Sequence, residues 1–150
     1  MPVNPPNTQV RTSHALTIRA RGITVGVIQS WAPGMNRAIT PVYEINQQTS
    51  GEPIENAPGN VGGLTISVTR YDLYTRRMEA AFGTPDVEML GDHNNPFQVV
   101  EIWKFPDNTT ESRGYLGCWF NNLGRNYSAT DQRLVMVNAG ISYVRRFRIN

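Results

Sequence analysis

The chain carries two histidines, His14 and His93, and a single cysteine, Cys118. Neither histidine sits in a His-x-x-x-His or Cys-x-x-Cys context, so a zinc centre would have to be assembled from scattered carboxylates. Cys118 lies between Gly117 and Trp119 in an apolar run with no histidine close in sequence. That setting reads as a buried, inert thiol rather than a nucleophile. Asp86 and Glu88 are two apart and share a face if extended, as the paired acids of a hydrolase would, but nothing around them would raise a carboxyl pKa. They read as a solvated rim. The run Gly59 to Gly63 has no following Lys-Ser/Thr and so is not a phosphate cradle, and no Gly-x-Ser-x-Gly elbow is present. The expectation is a protein that is not an enzyme, with no catalytic residue, no cofactor and no metal site.

Two other stretches have the composition of contact surfaces. From Gln47 to Gly63 the chain turns to Gln, Ser, Gly, Glu, Asn and Pro, with Ile54 set between Glu52 and Glu55 and stiffened by Pro53 and Pro58. A loop of that length is usually functional or disordered, and an apolar anchor flanked by charges favours binding. Near the C-terminus, Tyr143-Val144-Arg145-Arg146-Phe147-Arg148-Ile149 interleaves aromatics with bases. In a strand, Tyr143, Arg145, Phe147 and Ile149 share one face and Val144, Arg146 and Arg148 the other, so neither is a pure stacking platform for nucleotides. An interface is favoured there over a solvated edge strand or a nucleic-acid site.

The elements that must position these stretches are mostly strands. Leu16 and Ile18, then Ile23, Val25 and Val27, alternate with polar residues. A Pro33-Gly34 turn leads to a third strand ending near Asn46. Leu64, Ile66 and Val68 give the clearest alternation. Tyr74, Met78 and Phe82 at i, i+4 and i+8, with Thr69 and Asp72 before them and Gly83 and Pro85 after, predict one helix over about 70–82. Strands follow over Phe97–Phe105, Tyr115–Leu123 and Arg133–Ile149, the last with a bulge or bend at Gly140. The sum is a mainly β fold, an antiparallel barrel or sandwich of about seven strands with one packed helix and a long loop at about 47–63.

Composition agrees. At 150 residues, with 39% hydrophobic, 17% charged, 13 Gly and 10 Pro, the chain suits one domain spanning 1–150 and excludes a helical bundle. Residues 1–9 read as an extended Pro/Asn arm that lacks the pattern of a secretory signal, and no run approaches the ~18 apolar residues of a membrane span, so no membrane partner is expected. The net charge of +2 is too small for a dedicated nucleic-acid binder. Among the fourteen bases only Lys104 is lysine, a bias toward the planar guanidinium that suits partly buried contacts.

In the order of its features the chain resembles the inner tail-tube proteins of contractile-tailed bacteriophages. Val42-Tyr43-Glu44-Ile45 leads into Gly51-Glu52-Pro53 and Pro58-Gly59; Gly63-Leu64-Thr65-Ile66, Arg70-Tyr71-Asp72-Leu73-Tyr74, Asn95-Pro96-Phe97 and Tyr115-Leu116-Gly117-Cys118-Trp119 follow. The positive net charge departs from the neutral or acidic lumens of that family. The resemblance implies a barrel protomer, also found in the type VI secretion tube, of which six copies close into a ring and rings stack helically into a hollow tube. It implies a virion tail location, host cytoplasm during assembly, and as partners other copies of the chain, a tail sheath protein, a tape measure protein and a baseplate, with DNA passing through the lumen without specific binding. Interface candidates are Val3, Pro5 and Pro6 of the arm, Glu52, Pro53, Ile54, Glu55 and Pro58 of the loop, and Arg145, Arg146, Phe147 and Arg148. The alternatives are a secretion-system tube or tail terminator with the same barrel, or a barrel-type nucleic-acid-binding module.

Overall fold

A computed structural model describes residues 9–12, 15–45, 48, 50–85, 87–129 and 134–149. Eight antiparallel strands form one sheet: β1 (Leu16–Ala20), β2 (Ile23–Thr24), β3 (Ile28–Val42), β4 (Glu55–Tyr71), β5 (Phe97–Lys104), β6 (Thr110–Asn126), β7 (Met136–Ser142) and β8 (Arg145–Arg148). The order across the sheet is β2-β1-β5-β6-β7-β4-β3, with β8 also on β6. The sheet curls on itself without closing; β1 and β3 face each other across a seam of about 360 Å³ lined by Leu16, Ile18, Val27 and Trp31.

β6 is the hinge of the architecture. Its first half pairs with β5, from Phe97↔Cys118 to Lys104↔Thr110, and its second half with β7, from Trp119↔Ser142 to Asn126↔Met136. β7 and β8 run along it in turn, parting at Tyr143 and Val144, where Tyr143 N–H donates to Leu64 O and Val144 N–H to Leu116 O. Gly117 makes the change possible: its φ is +64°, and a Cβ there would lie 2.8 Å from Val144 Cγ2. Inside the curl, Phe82, Phe97 and Phe120 meet at centroid distances of 5.0 to 5.7 Å, beside Ile66, Val99, Tyr115, Val137 and Ile141. Each such side chain contributes roughly 1.5–3 kcal/mol by burial.

The mainly β architecture with one short packed helix is as the alternation implies, but several element bounds differ. The helix is a single turn, α1 (Met78–Ala81), rather than 70–82. Arg70 and Tyr71 still pair with Val137 and Met136, and Asp72 N–H bonds Val135 O, which holds them extended. Met78 and Phe82 are buried as their spacing predicts, while Tyr74 is fully exposed. The segment expected as a loop over 47–63 is half strand, because Glu55 to Gly62 pair with Asn36 to Val42. Pro33 and Gly34 lie within β3, opposite Ile66 and Thr65, and make no turn. The long last strand breaks at Tyr143, and an irregularity lies opposite Gly140 and Ile141, where the register of β6 shifts between Phe120 and Asn122. Among the described residues no helix is long and apolar enough to cross a membrane.

Candidate functional site

The groups that could do chemistry are engaged within the fold. Cys118 is fully buried, its thiol pushed up to about 12 by desolvation, and it donates to Tyr115 O at 3.3 Å. His93 packs against Phe97, Trp119 and Phe120, with Nε2 2.7 Å from Asn95 O and Nδ1 accepting from Phe120 N–H at 3.4 Å. Glu88 is exposed and holds Arg77 at 2.8 Å, which lowers its pKa. His14 and Asp86 lie outside the described residues, as do Val3, Pro5 and Pro6. Among the described residues no group of three or more His, Cys, Asp or Glu comes together as a cation site.

Two of the three buried carboxylates among the described residues, Glu101 and Glu79, which sequence patterning does not reveal, are anchors of the body. Glu101 on β5 is 3% exposed and accepts from Trp31 Nε1 (3.1 Å), Trp103 Nε1 (2.6 Å) and Tyr115 OH (2.9 Å), with Arg146 Nη2 at 3.7 Å. Burial and this carboxylate raise the Tyr115 pKa, so the phenol stays a donor. Glu79 on α1 accepts from Arg125 Nη2 at 2.7 and 2.8 Å, while Asp72 accepts from Arg125 Nε at 3.0 Å and from Met78 N–H at 3.3 Å. This network fastens the helical turn to the far end of β6. Paired arginines include Arg11, Arg70, Arg77, Arg113, Arg125 and Arg146, so the guanidinium bias is used inside the protomer.

The surfaces left over are an arm and an edge. Beyond Gly34↔Thr65, β3 and β4 continue as a two-stranded ribbon that leaves the body. From Met35 to Val61 every described residue is exposed except Val42 and Ala57, which are half-buried. Its apolar residues include Met35, Ile39, Tyr43, Ile45, Ile54 and Val61, between 48% and fully exposed. Of the expected loop residues, Glu52, Pro53 and Ile54 form the tip, with Ile54 N–H donating to Val42 O at 2.9 Å, while Glu55 and Pro58 lie on β4 opposite Val42 and Ile39. Ile39, Tyr43 and Ile45 are expected from the sequence as part of a strand and Val61 as part of the loop, but none of them as a contact residue, since apolar residues scattered among Gly, Pro and Asn carry no period.

The edge is β8, whose one strand partner among the described residues is β6, from Arg113↔Arg148 to Leu116↔Arg145. Arg145, Arg146 and Arg148 are exposed; Phe147 is half-buried over Gly114, where a Cβ would lie 2.6 Å from the ring. Arg146 leans over the Tyr115 ring toward Glu101. Leu116, Val144 and Ile149 add 40%, 71% and 49% exposed apolar side chains around the same strand. A third patch, Leu73, Tyr74, Tyr127 and Leu134, borders an open hollow of about 440 Å³ at the other end of β4.

No family model matches the chain, and no curated protein matches it. Solved structures do. The sheath/tube terminator of an extracellular contractile injection system, PVC, in its extended state, aligns with a TM-score of 0.71 at 7% identity over 95% of this chain and 99% of that one. The PVC sheath-tube complex in the extended state gives 0.69 at 8% over 93% and 91%. The SPP1 tail tube gives 0.61 at 11% over 91% and 77%. At these identities the likeness is one of fold, and the fold is that of tail-tube and tube-terminator proteins.

Proposed function

We propose that this chain is the structural subunit of the inner tube of a contractile phage tail, six copies closing into a ring and rings stacking helically. The observation that carries this reading is the arm. An isolated two-stranded ribbon is at best marginally stable in water, and this one exposes Met35, Ile39, Ile54 and Val61 along its length. A second copy would cover it. Contacts between unlike surfaces close into rings or extend as open stacks, and both are needed for a tube. The fold likeness to tube proteins supports the same reading.

In that assembly the conduit passes genome DNA without holding it. Every guanidinium that neutralises a phosphate releases counterions, and repeated rings of them would grip the duplex. Arginines committed to carboxylates within the protomer, such as Arg125 with Asp72 and Glu79, do not add to such a grip. Sheath, tape measure and baseplate proteins complete the proposed particle, assembled in the host cytoplasm and carried in the virion tail. A second reading, a terminator ring of the same barrel, is favoured by the likeness to a sheath/tube terminator.

Electron microscopy and sedimentation of concentrated protein test the proposal. Rings and long stacked tubes are expected; isolated rings that never stack would move the assignment to the terminator. A lone monomer at every concentration, even when seeded with baseplate, would refute both.

A further inference from the structure

We propose that the tip of the arm of one copy, Gly51–Glu55, docks on the β8 edge of a second copy, a contact that rests on the self-assembly reading and gives it a specific address. The two surfaces complement each other in charge. Along the whole arm the only base is Arg37, against Glu44, Glu52 and Glu55, whereas three of the four residues of β8 are arginines. Among the described residues Glu52, Glu55 and Arg145 make no ion pair, so their charges are available to a partner.

They are also complementary in apolar surface. Ile54, 50% exposed at the tip, is flanked by the two glutamates, and Val144, 71% exposed, precedes Arg145 beside Leu116. An apolar anchor between acids thus meets an apolar step beside a base. Among the described residues β8 pairs only with β6, which leaves its outer edge open to a neighbouring copy.

The contact must come from another copy. β4 and β7 stay paired down to Thr65↔Ser142, with Tyr143 N–H still reaching Leu64 O; there the two part, β4 into the arm and β8 along β6. Glu55 is nine residues further along β4, about 30 Å at ~3.3 Å per residue, while Arg145 is two residues beyond the fork. The chain's own tip is carried away from its own edge.

Two preparations, Ile54→Cys and Val144→Cys, mixed and gently oxidised, test the contact, because a bond between them can join only different copies. Native Cys118 is buried and does not compete. The mixture is expected to yield at least about ten times more covalent dimer than either variant alone. Independently, Arg145→Glu should depress assembly, and the doubly reversed Glu52→Arg/Glu55→Arg chain should restore it on mixing. Rings or tubes that form with neither the mixed cross-link nor the charge rescue would overturn this docking and leave the tube reading standing. Wild-type protein that remains monomeric at every concentration would remove the tube reading and the docking with it.

Discussion

On β4, Ile66 and Val68 are 0% and 2% exposed, packed among Val137, Ile141 and the phenylalanines of the core; five residues before Ile66 on the same strand, Val61 is 48% exposed. The pairing partner is β3 in both places. What changes is the second layer. In the body, β7 pairs with the far edge of β4 from Thr65 onward and the curled sheet covers one face. In the arm neither cover is present among the described residues. A strand's hydrogen bonds to one neighbour therefore fix its shape, while its stability comes from what lies against its faces. The body supplies its own cover, whereas among the described residues the arm has none.

The sharpest way to break the comparison is to remove cover from the body. Phe82 is fully buried and its ring meets Phe97, Phe120 and Trp31 at 5.6, 5.7 and 6.4 Å. Phe82→Ala should lower the unfolding free energy of the protomer by about 3–5 kcal/mol, measured by denaturant titration. A loss under ~1 kcal/mol would mean that the body is as loosely covered as the arm.

A milder test reads the body through its buried thiol. Cys118 is pushed from 9.0 up to about 12 because the thiolate would lose its hydration in the core. The folded state thus binds the proton more tightly than the unfolded state. This contribution is complete below pH 9 and falls away as pH rises from 9 toward 12. Between pH 8 and pH 10 the native protein should lose roughly 1 kcal/mol more stability than Cys118→Ala. Equal losses in the two proteins would show that the core around β6 admits water.

The same contrast explains which parts of the structure were legible in the sequence. Period-two alternation exists because one face of a strand is covered and the other is wet, so Leu64 to Val68 and Phe97 to Lys104 could be recognised as strands. Residues 55–62 could not, since both faces are exposed and Pro58 and Gly59 look like loop punctuation; Pro58 fits a ribbon whose outer edge needs no donor. The helix was overextended because Met78 and Phe82 show helical spacing while tertiary pairing claims Arg70 and Tyr71 for β4. Glu101 and Glu79 gave no signal, as a lone acid in a strand or helix looks the same in sequence whether it faces water or a cluster of donors.

The smallest effect on the protomer should come from the arm, and it sharpens the comparison most. Ile54 is half exposed at the tip, so Ile54→Asp removes little that the isolated chain buries. Its unfolding free energy should change by less than about 0.5 kcal/mol. Assembly should fail, because an unpartnered carboxylate pressed into a contact between copies costs several kcal/mol for each interface. Sedimentation at matched concentrations separates the two readouts. If tube yield is unchanged, the tip of the arm is not where copies meet. If the monomer itself is destabilised, the tip packs within its own protomer, and the contrast between a covered body and an uncovered arm no longer holds at Ile54.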